Sequence, residues 1–460
     1  DPTYGISTGF GALATVAIPP GRRADLQRAL VRSHAAGMGD PVEPEVVRAM
    51  ILLRARTLCM GASGSRPLIA EGLVALLEAG ITPLVPEHGS LGASGDLAPL
   101  AHVALALQGE GTVARDGVVE PAGEALRAAG LAPVELADKE GLALTNGTDG
   151  ILAMLCLAVH DATVLLVQAD IVAALTVEAI LATDRPFAAD LAALRPHPGQ
   201  SVSAANLTAM LAGSPIVASH RTDDLRVQDA YSIRCTPQVH GAARDTLDHA
   251  RAVAERELAS AIDNPMVLPD GRVESCGNFH GAPLGFAADF LAIALAEVGA
   301  IAERRLDRLL DHTRSHGLPP FLADEPGVDS GMMIAHYTAA AMCSENKRLA
   351  APASVDSLPT SAMQEDHVSM AWAATRKLRT VLTNVRRILA VELTAAGRAV
   401  DLRSPLEPGP GTGAALAVLR GRVDGPGPDR HLAPELASVE ALLASDELSP
   451  AVAAVVGPIA

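Results

Sequence analysis

From Gly150 to Thr183 the sequence is apolar almost without interruption, and this run limits the possible folds more than any other feature. It is long enough to span a bilayer, yet His160, Asp161, Asp170 and Glu178 recur along it, and ionisable groups at bilayer depth are costly and rare. The pattern predicts a long helix buried inside a soluble protein. Three further stretches, His240–Ile262, Leu284–His312 and Met370–Val400, carry the same helical apolar period, while alternating strand-like patterns are short and few. In Leu284–His312 the apolar residues continue around most of the helix as far as Glu303, Arg304 and Arg305, as expected of a helix surrounded by others in a bundle, with oligomer contacts covering the rest. Only 2% of the residues are aromatic against 49% hydrophobic, so the core has to be built from Ala, Leu, Val and Ile, which suits closely packed helices. The expected fold class is mainly α.

A chain of 460 residues is long enough for two or three domains, but large helical enzymes also reach this size as one folding unit. The composition divides the chain into an N-terminal part (1–149) broken by glycine clusters around Gly5–Gly11, Gly61–Gly64 and Gly92–Gly95, a central helical bundle (150–402), and a C-terminal helical segment (403–460). The Pro/Gly-rich stretches Ser404–Gly413 and Gly425–Pro428 read as linkers into that last segment. A formal net charge of -17 repels phosphate backbones and anionic membrane surfaces, which argues against nucleic acid and membranes as partners. Five scattered cysteines without a CxxC pair argue against a disulfide framework and a zinc ribbon, and a reducing cytoplasm fits best. The sequence opens at Asp1 with no basic-then-apolar leader, so no signal peptide is visible in it.

Three motifs invite misreading. Gly409-Pro410-Gly411-Thr412-Gly413 lacks the Gly-Lys-Ser/Thr ending that holds phosphate and magnesium. His312 and His316 have the spacing of two metal ligands on one helical face, but no general-base Glu lies between them, and they read as surface or capping histidines. Ala-Ser-Gly occurs twice, at Ala62-Ser63-Gly64 and Ala93-Ser94-Gly95, and by itself either copy is only a turn or helix end.

The surroundings separate the two copies. The second lies in Gly89-Ser90-Leu91-Gly92-Ala93-Ser94-Gly95-Asp96-Leu97-Ala98-Pro99-Leu100-Ala101-His102, which resembles the signature of the aromatic amino-acid ammonia-lyases and aminomutases. In that family the tripeptide cyclises unaided into a methylidene-imidazolone (MIO). The chemistry accounts for the residue types: the Gly95 nitrogen has to reach the Ala93 carbonyl carbon, an approach that a β-carbon obstructs. Loss of water then turns the Ser94 side chain into an electron-poor methylene. Covalent capture there activates an α-amino acid whose β-proton is weakly acidic and whose amine is a poor leaving group.

The resemblance extends over most of the chain, including Ser344-Glu345-Asn346-Lys347 and Pro352-Ala353-Ser354-Val355-Asp356-Ser357, and weakens after about residue 402. It implies a central long-helix bundle of the fumarase/aspartase-like type, a loop-rich N-terminal part carrying the MIO, no metal or added cofactor, and a cytoplasmic homotetramer whose sites are shared between subunits. Tyr4, in Tyr4-Gly5-Ile6-Ser7-Thr8-Gly9-Phe10-Gly11, resembles the family's inner-loop base that takes the β-proton; with an ordinary pKa near 10 it needs positive potential or donated hydrogen bonds to do so. Gln228, Tyr231 and Arg234 are spaced three apart, so on a helix they share a face. The resemblance assigns Arg234 a grip on the substrate carboxylate, with Gln228 and Tyr231 beside the ring. Asn146, in Leu144-Thr145-Asn146-Gly147-Thr148, resembles the asparagine supporting ring and carboxylate. Phe279, in Cys276-Gly277-Asn278-Phe279-His280-Gly281 after Asp263-Asn264-Pro265, is expected to pack against the bound ring.

His34 and Glu365 bear on the substrate. Phenylalanine-type members tend to carry an apolar residue at the first, because an unpaired imidazole against a phenyl ring forfeits a hydrogen bond, and Gln at the second. A carboxylate accepts hydrogen bonds from an imidazole N–H or an ammonium, so the pair points to L-histidine and to trans-urocanate and ammonia as products. Tyrosine or phenylalanine lyases and aminomutases, or a non-catalytic helical scaffold derived from such a lyase, are the alternatives. Met363, Ala351 and Asp149 depart from the usual residues, Met363 two positions from Glu365. Asp366 and His367 read as structural. A cyclised tripeptide makes the intact mass fall short of the sequence mass by the water lost; Ser94→Ala is expected to abolish that deficit and the activity, and retention of full rate in this variant counts against the electrophile.

Overall fold

The computed structural model describes residues 2–222, 224 and 226–460. About 58% of the chain is helical, in agreement with the mainly α expectation. The four apolar runs form the four longest helices, Asp149–Ala179, Thr236–Leu258, Ala282–Leu310 and Ala371–Asp401. Three small antiparallel sheets pair Met38–Pro41 with Pro86–His88, Thr112–Arg115 with both Thr82–Pro83 and Val118–Pro121, and Met266–Val267 with Val273–Glu274.

The chain divides into two compact units that alternate along the sequence. One comprises the residues up to Leu157, Ala250–Asp289 and Pro352–Lys377; the other comprises Ala158–His249, Phe290–Ala351 and Leu378–Ala460. The first holds all the small sheets and glycine-broken loops, whereas the second is built on portions of the four long helices.

In the second unit part of the Asp149–Ala179 helix buries its full circumference. Every residue from Gln168 to Ile180 is buried, which a helix tolerates only when neighbours cover each face. Two helical stretches, Glu140–Ala179 and Ala282–Leu310, are long and apolar enough to cross a membrane, but 61% of the apolar window of each is buried inside the protein. The polar residues that interrupt the first are used as internal ties. Asp170 accepts from Ser203 (2.6 Å), Asn206 (2.9 Å) and Arg244 (2.8 Å) and pairs with His240 Nδ1 (2.7 Å); these partners hold its carboxyl below the ordinary range despite burial. Glu178 accepts the Gly409 N–H at 2.9 Å. Glu392 takes two hydrogen bonds from Arg305 (2.6 and 2.9 Å) and one from Thr176 (2.9 Å), joining three long helices through groups with no exposed side-chain surface in the ion pair.

One local expectation gives way to the structure and another stands. The Ser404–Gly413 stretch is not a linker throughout, because Gly409 caps a helix, Pro410–Arg420, with Pro410 in its first turn, where a missing N–H costs nothing. His312 and His316 are both exposed, in keeping with the surface reading, and share no helical face: the long helix ends at Leu310, and His316 has a left-handed φ of 55°. The Ala282–Leu310 helix also leaves Phe286, Phe290 and Ile293 about half exposed, so its apolar circumference is incompletely covered within the chain. Arg305→Met is expected to cost roughly 3–5 kcal/mol because Glu392 is then buried without its cation, read as a lowered unfolding midpoint; adding Glu392→Met should recover most of the loss.

Candidate active site

The second Ala-Ser-Gly lies in a loop fastened on both sides. Upstream, the Leu91 carbonyl accepts from Met370 N (2.9 Å), and the Gly92 carbonyl accepts from Ser369 Oγ (2.8 Å) and Gly281 N (3.2 Å). Downstream, Asp96 N donates to the Gly147 carbonyl at 2.6 Å. Ser90 Oγ closes the loop, donating to Asp96 Oδ1 (2.8 Å) and accepting from Gly92 N (3.2 Å). Ala93 is buried against Val368 and Met370, with Leu91 beside them. Gly95 has φ +73°, and a β-carbon on it would lie 2.1 Å from the Gly147 oxygen, so only glycine fits. This meets the steric demand that cyclisation places on the tripeptide.

Ser94 opens into a cavity of about 490 Å³ whose lining includes Tyr4, Phe10, His34, Asn146, Ser361 and Glu365. Tyr4 and Phe10 stand edge to face at 6.2 Å, as do Phe10 and His34 at 6.4 Å. The Tyr4 hydroxyl accepts the Gly11 N–H at 3.0 Å. Burial raises the Tyr4 pKa above its ordinary value, the Gly11 hydrogen bond opposes this, and the Glu365 carboxylate adds to the rise. His34 ends the Arg23–His34 helix. Burial lowers its pKa, against the pull of the Leu30 carbonyl and Glu365, so the ring is neutral at pH 7. Its Nδ1 lies 3.2 Å from Ser33 Oγ, which itself donates to the Leu30 carbonyl. In the tautomer that carries its proton on Nδ1, Nε2 is an acceptor. Glu365 is fixed by Thr360, whose hydroxyl donates to Oε2 at 2.9 Å. Asn146 donates to the Asn264 carbonyl at 2.8 Å, leaving its Oδ1 buried with no hydrogen-bond partner. A buried acceptor without a donor is costly, and here it belongs to a cavity-lining residue.

Residues 1–421 match the family described as aromatic amino acid lyases. The chain belongs to that family. It is 62% identical to a histidine ammonia-lyase of Streptomyces coelicolor, over 100% of this chain and 90% of that protein. Among solved structures it resembles a tyrosine aminomutase of Streptomyces globisporus (TM-score 0.92, 41% identity, 99% of this chain and 89% of that one). It also resembles a histidine ammonia-lyase of Trypanosoma cruzi (TM-score 0.91, 41% identity, 99% and 86%).

In this aromatic amino acid lyase Tyr4, His34, Ser94, Asn146 and Glu365 surround one cavity, with Ala93 and Gly95 flanking Ser94, whereas Gln228, Tyr231, Arg234 and Phe279 do not line it. Phe279 is half-buried and does not line it. Gln228, Tyr231 and Arg234 belong to the other unit, where Gln228 and Arg234 line one cleft and Gln228 and Tyr231 another. They do not share a helical face. Only Tyr231–Arg234 is helical, because Ala230 is extended and ends the helix N-terminally, so Gln228 precedes it. The Arg234 guanidinium instead lies over the Tyr231 ring at 4.5 Å, Tyr231 is 71% exposed, and Arg234 Nε is buried without a partner. Met363 is 67% exposed and outside the cavity lining. It completes a run of left-handed residues, Ser361, Ala362 and Met363 (φ 51°, 50° and 71°), whose first member accepts the Ala12 N–H through Oγ at 3.1 Å.

The supporting groups of the lyase escaped the sequence reading. Fully buried Gln27 donates to the Gly5 carbonyl (3.0 Å) and accepts from Leu142 N (3.2 Å), tying the Tyr4 loop to the Asn146 segment. Lys139 pairs with Asp263 at 2.7 Å beneath Asn146. Asp96 accepts the N–H groups of Gly150 and Ile151, each at 2.9 Å, and burial lifts its carboxyl to about 7. Arg54 and Asp149 form a buried pair at 3.4 Å. Asp96 stands inside the Gly89–His102 signature, but nothing in the spacing of Asp96 or Arg54 announces their partners. Because Glu365 raises the Tyr4 pKa, Glu365→Gln is expected to lower the tyrosinate midpoint, followed by ultraviolet titration in a chain with Tyr231→Phe and Tyr337→Phe; an unchanged midpoint removes the coupling.

Proposed function

We propose that this chain is a histidine ammonia-lyase, which eliminates ammonia from L-histidine to give trans-urocanate. The observation that carries the proposal is the cavity in which Tyr4, His34, Asn146 and Glu365 surround Ser94 of the expected electrophile. The relatives at 50–62% identity that carry the same name support the choice of substrate. The electrophile is an MIO built from Ala93, Ser94 and Gly95, which supplies an electron-poor carbon able to capture the substrate and turn its amine into a leaving group. The left-handed Gly95 cradled by Gly147 and the unpartnered Asn146 Oδ1 suit such a ring.

The side chains take complementary parts in this reading. Neutral His34 offers an acceptor for the substrate imidazole N–H, and Glu365 accepts from the ring or from the ammonium. Tyr4 removes the β-proton. Among the described residues the Tyr4 hydroxyl accepts one hydrogen bond, from Gly11, while the Glu365 carboxylate raises its pKa, so this reading draws the positive potential from the substrate ammonium and from an arginine supplied by another copy of the chain. Arg234, with Gln228 and Tyr231, fits that part: these residues lie in the second unit, Tyr231 is largely exposed, and Arg234 retains an unpartnered Nε. A homotetramer with shared sites satisfies both observations. Five unpaired cysteines fit a cytoplasmic enzyme.

A second reading, a tyrosine lyase or aminomutase with the same electrophile, draws on the structural likeness to a tyrosine aminomutase and on the ability of His34 to bond a phenol. Purified protein is expected to form urocanate, seen by its ultraviolet absorbance, from L-histidine and to leave L-tyrosine unchanged; the reverse result selects the second reading. His34→Leu is expected to raise KM for L-histidine about tenfold or more, as loss of a hydrogen bond to a half-buried group costs roughly 1–3 kcal/mol.

A further inference from the structure

We propose that Arg54 is a positioning residue for the electrophile: its buried guanidinium holds the Asn146-Gly147 segment against the tripeptide and so governs ring closure, from a place outside the cavity. The inference rests on the reading that Ala93-Ser94-Gly95 cyclises.

Arg54 has no exposed surface and is not itself among the residues lining the cavity, which it reaches only through the backbone of Asn146. Its Nη1 donates to the Asn146 carbonyl at 3.1 Å and its Nη2 to the Ile262 carbonyl at 2.8 Å, two chain segments far apart in sequence. Asp149, 3.4 Å from Nη1, supplies the counter-charge. A β-carbon on Gly147 would lie 2.3 Å from Arg54 Nη1 and 2.4 Å from Asp149 Oδ2, so this ion pair abuts one side of the Gly147 backbone. On the other side the Gly147 carbonyl takes the Asp96 N–H at 2.6 Å and occupies the space that a Gly95 side chain would need. Gly147 is therefore held between a buried ion pair and the end of the tripeptide. A guanidinium can bond two carbonyls in fixed directions because it is planar and forked, whereas a lysine ammonium of the same charge is a single point.

Ring closure makes a bond from Gly95 N to the Ala93 carbonyl carbon. The Ala93 oxygen leaves as water with the protons of Gly95 N and Ser94 N, and a second water carries off the Ser94 hydroxyl and its Cα hydrogen. Nothing is oxidised or reduced. The requirement is a short approach held while neighbouring backbone resists relaxation, and that resistance is what Arg54 contributes through Gly147.

Intact mass of the purified, folded protein reads the outcome directly. The wild-type chain is expected to lack both waters, Arg54→Met to retain them in most molecules while keeping its helical circular dichroism, and Arg54→Lys to give an intermediate fraction. Across these variants kcat should fall in step with the cyclised fraction while KM holds. If Arg54→Met does not fold, Asp149→Asn, which keeps the shape and removes the counter-charge, is expected to leave a part of the molecules uncyclised. Complete loss of both waters in Arg54→Lys and Asp149→Asn, or in a folded Arg54→Met, overturns the inference and leaves Arg54 a stabilising residue only. A wild-type chain that retains both waters overturns instead the reading beneath it.

Discussion

The hydrogen bond from Asp96 N to the Gly147 carbonyl, 2.6 Å long, is the contact on which the site depends. It brings the turn after Asn146 against the tripeptide so closely that residue 95 has no room for a side chain. The same turn delivers Asn146 to the cavity and starts the Asp149–Ala179 helix, so one close approach links the expected electrophile, a cavity-lining amide and one of the long apolar helices. The opposite end of the loop is held by Met370, Ser369 and Gly281 through the Leu91 and Gly92 carbonyls. Fastened at both ends, the loop cannot relax by sliding along its own path.

Buried charge serves the two units differently. In the helical unit Asp170 and Glu392 join long helices through His240, Arg244 and Arg305, placing polar ties where an Ala/Leu core offers no directional contacts. Such pairs stabilise little over well-packed apolar groups, but breaking one is expensive, and they specify which helices meet. In the loop-rich unit Arg54, Lys139, Asp149 and Asp263 hold turns instead. Turns expose backbone carbonyls that no helix or sheet satisfies, and the buried guanidinium meets that need at Asn146 and Ile262.

Much of the cavity was legible in the residues. Tyr4, His34, Asn146 and Glu365, scattered over the chain, line one space with Ser94, because each sits in a segment whose local chemistry is distinctive. Spacing was a poorer guide where helix boundaries mattered. Gln228 was aligned with Tyr231 and Arg234 on the premise of a continuous helix, but that helix begins only at Tyr231. Likewise Gly409 and Pro410 look like a linker and begin a helix; proline and glycine mark helix starts as readily as loops. The environment of Tyr4 was not legible at all, since burial and the facing carboxylate arise from residues more than three hundred positions apart.

The long helices, the family, and the choice of Ala93-Ser94-Gly95 over the copy at residues 62 to 64 as the expected electrophile were all readable from the residues alone, since each follows from local pattern or local chemistry. Only the tertiary structure decided which groups share a cavity, why residue 95 must be glycine against Gly147, and that Arg54, Gln27 and Lys139 stand behind the site. The division has a physical cause. Helical period and backbone reactivity act over a few residues, whereas burial, ion pairing and the exclusion of a β-carbon are set by segments that meet only when the chain folds.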